Sequence, residues 1–348
     1  MGSVKDLTII KPAQTNQLGL GRFTFSDRYS VFDWGEMPDH IDGKGASLCI
    51  TSAYFFEKLE SLGVKTHYKG IIENGQIKKL ADLSAPQNSM EIKLVRVIRP
   101  GIVSSPRNDA YDYSAFKKEK ANFLIPLEVI YRNSLPEGSS VFKRLKAGEI
   151  KLEDIGLKEM PAPGAKLSKP LFDVSTKLES TDRYLTWDEA REITGLANDE
   201  LKKLRSNVLD IDSLLTKEVL KAGLVNEDGK VEFGFDEKRE MMLLDTVGTL
   251  DECRFTHSGT PVSKEILRVK YRGTPWHNEV EEAKRTKGVE WKKFVRSGPE
   301  PLPKELKNLV SQLYKAACNE ITGREWFKGI PTIEDVLKEI ATPKHSKD

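Results

Sequence analysis

Apolar and charged positions alternate most regularly between residues 226 and 254, NEDGKVEFGFDEKREMMLLDTVGTLDECR. Asp228, Lys230 and Glu232 interleave with Val231, Phe233 and Phe235. Successive strand side chains point to opposite faces, so the three charges share one face and the apolar set packs on the other. After a turn at FDEKRE, a second run over residues 241–244 ends in Asp245, which predicts a hairpin that brings Glu232 and Asp245 to one site. Two carboxylates beside a lysine suit Mg²⁺, which takes one or two carboxylates plus substrate phosphates. A solvated amphipathic hairpin has the same pattern.

Upstream, Phe23 and Phe25 mark a strand after Gly19 and Gly21, whose bare G-x-G reads as a tight turn. Leu48, Ala53, Phe56, Leu59 and Leu62 recur near helical spacing, predicting a helix that opens around residues 44–47 and stops at Gly63. Its N-terminus, with Gly43, Lys44 and Gly45, is a candidate anion site, or simply a turn that glycine permits. VKTHYKGII and QIKKL predict strands about a turn at Asn74 and Gly75, and residues 90–98 a further strand. FLIPLEVIYRN places Glu128 and Arg132 on one strand face and Leu127, Val129 and Tyr131 on the other, with Pro126 implying an edge or a bulge. Residues 99–122 read as an excursion. Residues 148–181, rich in Pro, Gly and Lys, read as a long ordered loop or lid. Thr186 and Glu189 form a capping box. Residues 198–221 form a helix burying Leu201, Leu204, Val208, Ile211, Leu215 and Val219, and NLVSQLYKAACNEITG and EDVLKEI give helices near the end.

Composition narrows the function classes. The 348 residues carry 55 basic against 53 acidic side chains, so no global field argues for nucleic acid. The basic runs at 117–120 and 202–205 read as solvated faces. Cys49, Cys253 and Cys318 are isolated and odd in number, which supports neither a disulfide framework nor a zinc site and fits a reducing cytoplasm. No signal-peptide core and no membrane-length apolar run is expected.

Four collinear stretches carry a resemblance: SDRYSVFD with DGKG, then IPLEVIYRNSLPEGSSVFKRL, then PLFDVSTKLE, then GKVEFGFDEKREMMLLDTVGTLDECRF. Together they resemble the SAICAR synthetases, the phosphoribosylaminoimidazole-succinocarboxamide synthases, over residues 22–255. The resemblance implies an α+β fold of antiparallel sheets with packed helices, two lobes around an ATP cleft and a helical C-terminal extension. It divides the chain into a β-rich nucleotide lobe at 1–98, a larger α+β lobe with the substrate and metal site at 99–255, and a helical extension at 256–348 packed on the large lobe. It implies an ATP- and Mg²⁺-dependent carbon–nitrogen ligase of de novo purine biosynthesis. Such an enzyme joins L-aspartate to the carboxylate of a phosphoribosyl aminoimidazole carboxylate (CAIR) through an acyl phosphate, giving SAICAR, ADP and phosphate. A carboxylate is a poor electrophile, and phosphorylation gives it a leaving group.

Carried onto this chain, the family pattern puts the substrate phosphate on Arg132, Ser139 and Arg254; arginine forks with a hydroxyl suit a phosphate monoester. Asp228 and Lys230 match positions at the imidazole and carboxylate end, with Lys177 reaching the site from the loop. Glu232 and Asp245 match the metal carboxylates. Glu128 matches a glutamate near the nucleotide ribose, and Lys44, at its helix N-terminus, joins the nucleotide set. The chain departs from the pattern in TIIKPAQTNQLGLGRF, which has no lysine in register with the family's G-K-x-R or G-K-x-K stretch. In DTVGTLD, Thr246 stands for a carboxylate and Leu250 for a proline. Rival readings are a related carboxylate–amine ligase with another substrate or nucleotide, and a nucleotide-binding regulator without turnover. Partners are expected to be small molecules, with no nucleic acid and no membrane; assembly into a homo-oligomer is left open.

Overall fold

The alternating stretches fold into two separate antiparallel sheets. The computed structural model describes residues 4–103, 110–179 and 181–342. The first sheet takes β1 (Lys5–Lys11) and β2 (Gly19–Phe25), then, after helix α1 (Lys44–Ser61), β3 (Tyr68–Glu73), β4 (Gln76–Lys78) and β5 (Ser89–Leu94), in the order β1-β2-β5-β3-β4. Asn74 and Gly75 both adopt positive φ, 51° and 76°, as a two-residue hairpin turn of primed type requires. Gly19 and Gly21 lie inside β2 and form no turn. A Cβ at Gly19 would sit 2.5 Å from the Lys11 carbonyl oxygen, so the glycine answers a close backbone approach. The apolar stripe of α1, including Phe55, Phe56 and Leu59, is fully buried, and the helix packs on β2, β3 and β5.

Between the sheets, the excursion after residue 98 contains a small hairpin of β6 (Gly101–Val103) and β7 (Ala110–Asp112), and residues 104–109 lie outside the described residues. The second sheet is built on β8 (Phe123–Leu135). After α2 (Ser140–Ala147) come β9 (Ala165–Thr176), β10 (Tyr184–Leu185), α3 (Trp187–Thr194) and α4 (Asn198–Leu220). Then follow β11 (Val225–Phe235), β12 (Met241–Leu244), β13 (Cys253–His257) and β14 (Thr260–Pro261). The order is β10-β9-β8-β11-β13-β14, with β12 also paired to β11.

Pro126 sits in a central strand and not at an edge. The register with β11 slips where Glu232 faces Glu128 and Gly234 faces Leu124, so the bulge around Pro126 accommodates the missing N–H. β9 corrects the loop expected over 148–181: twelve of those residues form a strand beside β8. Its alternating positions include Lys166, Ser168 and Asp173, so apolar periodicity is absent and the ladder with β8 supplies the order instead. Val129, Tyr131, Val174 and Val231 are buried on one side of this sheet, and α4 packs against β8 and β11.

The C-terminal residues form α5 (Glu265–Tyr271), α6 (Pro275–Lys287), α7 (Lys304–Thr322) and α8 (Ile333–Ala341). Expected on the large lobe, they also reach the N-terminal part of the chain. α7 packs on α1, Trp276 of α6 packs edge-on against Trp34, and the Tyr29 and Tyr271 hydroxyls are 2.9 Å apart. Among the described residues no helix is long and apolar enough to cross a membrane.

Candidate active site

β8 and β11 run antiparallel with Arg132 opposite Asp228 and Glu128 opposite Glu232. These two charged pairs share one sheet face and stand four residues apart, about 13 Å at the usual rise of a strand. Each pair anchors a cluster of distinct charge.

At the Arg132 end the cluster is cationic. The Arg132 guanidinium donates to Asp228 at 3.3 Å, Asp173 at 3.4 Å, the Ser140 hydroxyl at 3.1 Å and the Tyr184 hydroxyl at 3.3 Å. Arg254, opposite Asp228 on β13, donates through Nε to Oδ1 of that carboxylate at 2.7 Å and through Nη2 to Oδ2. Arg144 of α2 donates to Asp173 at 2.6 Å and lies 4.0 Å from the centre of the Tyr184 ring. Three guanidiniums thus face two carboxylates, and the Nε groups of Arg132 and Arg144 are buried without a partner. Such a site has both spare charge and spare donors for an anion. Ser139 caps α2, its hydroxyl accepting from the Val141 N–H at 3.4 Å. Asp228 belongs to this end: its carboxylate is held between Arg132 and Arg254, whereas the sequence pattern grouped it with Lys230.

At the Glu128 end lysines and carboxylates interleave. Glu128 Oε1 accepts from Lys177 at 2.9 Å and from Lys230 at 3.1 Å. Lys177 also donates to Glu232 at 2.5 Å, and Lys230 lies 3.5 Å from Glu252. Asp245 follows β12 directly, at φ 63°, and pairs with Lys5 at 2.5 Å. Four carboxylates, Glu128, Glu232, Asp245 and Glu252, therefore face three ammoniums, and the surplus charge is negative. Burial, then the charge of Asp245, pushes the Glu232 carboxyl up. Burial alone would raise Asp245 too, but Lys5 and Lys177 outweigh it and hold this carboxyl below the usual range. Glu128 is lowered in the same way, by Lys230 and Lys177 against burial. Glu252 foremost holds Lys230 above its ordinary value.

This cluster fits a hard divalent cation in its donor chemistry. Glu232, buried, and Asp245, partly buried, are oxygen donors in mutual repulsion, and each is paired with a lysine standing where a cation would serve as well. Among the described residues no group of three or more His, Cys, Asp or Glu side chains is arranged to cage a metal. Two carboxylates are the number that Mg²⁺ commonly takes when phosphates complete its shell. Beside it lies a small apolar cluster of Leu124, Met242 and Leu244, packed with Leu18, Val95 and Leu178.

Lys44 stands apart from both clusters. It is wholly buried, its ammonium donates to Asp251 at 2.6 Å, and Asp251 accepts from the Tyr314 hydroxyl at 2.7 Å. The anion place at the start of α1 is filled by the chain itself: the Asp27 carboxylate accepts from the N–H groups of Gly43 at 3.2 Å and Gly45 at 2.9 Å. Conversely, sequence reasoning passed over Lys5, Arg144, Asp173 and Tyr184. A signal for Lys5 existed, since residues 2–5, GSVK, keep the last position of a G-K-x-K stretch. Arg144 lies in the quoted SSVFKRL piece, and Asp173 in PLFDVSTKLE.

Comparison with known proteins follows the same lines. The sequence model of SAICAR synthetase matches residues 13–283. The chain is 51% identical over 341 residues to a putative phosphoribosylaminoimidazole-succinocarboxamide synthase of Archaeoglobus fulgidus, covering 98% of both chains. It is 36% identical over 315 residues to the phosphoribosylaminoimidazole-succinocarboxamide synthase of Thermoplasma acidophilum, covering 87% of this chain and 93% of that one. In fold it resembles the SAICAR synthase of Saccharomyces cerevisiae solved with SAICAR, at a TM-score of 0.62 and 23% identity over 94% of each chain. It also resembles a SAICAR synthetase solved with ADP, at a TM-score of 0.55 and 23% identity, over 86% of this chain and 99% of that one.

Proposed function

Because the chain belongs to the SAICAR synthetase family, we propose that it is the ATP-dependent ligase that joins L-aspartate to the CAIR carboxylate, giving SAICAR, ADP and phosphate. The observation that carries this reading at the level of the site is the pair of oppositely charged clusters on one face of β8 and β11. A substrate with a phosphate at one end and a reacting carboxylate at the other spans them. Its phosphate takes the free Nε donors of Arg132 and Arg144, with Arg254 and the Ser139 hydroxyl joining as the hold of Asp173 and Asp228 is partly displaced. Its carboxylate then lies toward Lys230, whose charge is maintained by Glu252 and Glu128 and offsets the charge that grows as the acyl phosphate forms.

ATP approaches from the other side. The apolar group of Leu124, Met242, Leu244, Leu18, Val95 and Leu178 gives its base a wall beside Glu128, while Lys177 and Lys5 face its phosphates. Glu232 and Asp245 would hold Mg²⁺, which supplies charge neutralisation between the triphosphate and these carboxylates. The CAIR carboxylate oxygen attacks the γ-phosphorus and ADP leaves. The aspartate amine then attacks the acyl carbon, loses a proton and expels phosphate, forming the amide. The first sheet and α1 make the nucleotide lobe and the second sheet the substrate lobe in this reading. The buried, unpaired Cys49, Cys253 and Cys318 suit a reducing cytoplasm as the place of reaction.

The test is reconstitution. Purified protein given CAIR, L-aspartate, Mg²⁺ and, in parallel, each common nucleoside triphosphate is expected to yield the succinocarboxamide with ATP. Folded protein that releases no ADP with these substrates contradicts the reading, and product formed from another triphosphate alone moves it to a different nucleotide.

A further inference from the structure

Asp245 is unusual among the site carboxylates in its backbone. It leaves β12 at φ 63°, a left-handed conformation that aspartate tolerates better than most residues with a Cβ. Its carboxylate is fixed by Lys5. Its carbonyl oxygen is fixed from the first sheet, by His67, whose Nε2 lies 2.9 Å away. A carbonyl oxygen only accepts, so Nε2 carries the ring proton.

The imidazole is itself immobilised. It is 3% exposed and meets the rings of Phe23 at 5.8 Å and Phe56 at 5.4 Å, both nearly edge-on. Its backbone N–H donates to Leu243 at 3.0 Å, and its carbonyl accepts from Lys93 of β5 at 2.7 Å. The Leu243 N–H donates in turn to Lys65 at 2.9 Å, which splices residues 65–67 onto β12 immediately before Asp245. Phe23 closes the arrangement, for the Lys5 ammonium lies 5.1 Å over its ring. Asp245 is thereby gripped at both ends from the N-terminal part of the chain, by Lys5 of β1 and by His67 just before β3, while its neighbour Leu244 pairs with Glu232 in the second sheet.

We propose that His67 is a positioning residue for the metal site: its Nε2–H holds the Asp245 carbonyl, just past the end of β12, so that the carboxylate is presented to Glu232 on the neighbouring strand β11. The inference rests on the proposed role of Asp245 as a metal carboxylate. It predicts that the donor at Nε2 matters and the ring does not. Glutamine offers an amide N–H at comparable reach, whereas phenylalanine keeps the aromatic packing with Phe23 and Phe56 and removes the donor.

Binding of Mn²⁺ alone, followed by its electron paramagnetic resonance on the full chain, is the direct readout, with thermal midpoints and the split between kcat and KM for CAIR alongside. His67→Phe is expected to weaken Mn²⁺ binding roughly 10-fold or more, as loss of an outer-sphere partner does elsewhere, with KM for CAIR unmoved. His67→Gln is expected to restore most of the affinity. Wild-type affinity in folded His67→Phe overturns the inference, as does His67→Gln binding as weakly as the phenylalanine variant. If His67→Phe does not fold, His67→Gln decides alone, near wild-type affinity supporting the donor role and lost affinity refuting it. A wild-type protein that binds no Mn²⁺ removes the metal reading of Asp245 itself, whereas normal wild-type binding with an indifferent His67→Phe removes only the role of His67.

Discussion

Replacing Glu232 by glutamine should abolish turnover and, at neutral pH and above, stabilise the fold. The residue is 7% exposed, and burial together with the nearby charge of Asp245 raises its carboxyl. A carboxyl raised in the folded state leaves stability intact below its unfolded value of about 4.3 and removes it as pH climbs through the folded value. Each unit of raising costs about 1.4 kcal/mol above both values. With Lys177 at 2.5 Å offsetting part of the repulsion, the net cost at alkaline pH is roughly 1–3 kcal/mol. Glutamine is isosteric, carries no charge, and leaves Lys177 its other partner, Glu128, at 2.9 Å. The variant should therefore melt a few degrees above wild type at pH 8, and the two should converge as pH falls toward 4. Scanning calorimetry over a pH series, with ADP release measured on the same preparations, reads both halves, and turnover should fall at least about 100-fold. A variant less stable than wild type at pH 8, with the difference fading toward pH 4, would make Glu232 an ordinary ion-pair partner of Lys177 and refute the reasoning. So would retained turnover.

Further outcomes follow from the neighbouring groups. Arg132→Ala removes charge-assisted bonds worth about 1.5–3 kcal/mol each and should raise KM for CAIR roughly 10- to 100-fold. An unaltered KM in steady-state kinetics would exclude Arg132 from the phosphate end. Asp245→Asn keeps a residue that tolerates the left-handed backbone and removes the charge that helps raise Glu232, so the alkaline loss of stability should shrink in the same calorimetric series; an unchanged pH dependence contradicts the coupling. Lys44→Met leaves Asp251 buried without its ammonium and should cost roughly 3–5 kcal/mol in chemical denaturation. A wild-type denaturation midpoint would contradict a structural role for the Lys44–Asp251 pair.

What could be read from the sequence was local. Strand alternation placed Lys230 and Glu232 on one face, and the pairing of β11 with β12 sets Glu232 opposite Leu244 with Asp245 next along the chain, as the hairpin required. The capping box at Thr186 and the extents of α1 and α4 followed equally from cap residues and helical spacing. What escaped was set by pairing at long range. β9 carries charges where a strand pattern would show apolar residues, so Asp173, and with it the second carboxylate of the arginine cluster, passed for loop. Lys5 meets Asp245 because the edge strand of one sheet lies beside a hairpin of the other, a contact that hydrophobic periodicity does not encode; only the G-x-x-K remnant in GSVK marks Lys5 in the sequence. Lys44 shows the converse failure: glycines and a lysine at a helix start fit an anion site by chemistry, yet Asp27 and Asp251 occupy those groups.

The central claim is that the CAIR carboxylate is activated by phosphorylation on the sheet face that carries the two charged clusters. It is tested most directly by labelling both oxygens of that carboxylate with ¹⁸O and analysing the phosphate released in a reaction with ATP, Mg²⁺ and L-aspartate by mass spectrometry. One labelled oxygen per phosphate, in step with SAICAR formed, is the predicted result; SAICAR accompanied by unlabelled phosphate would contradict the account.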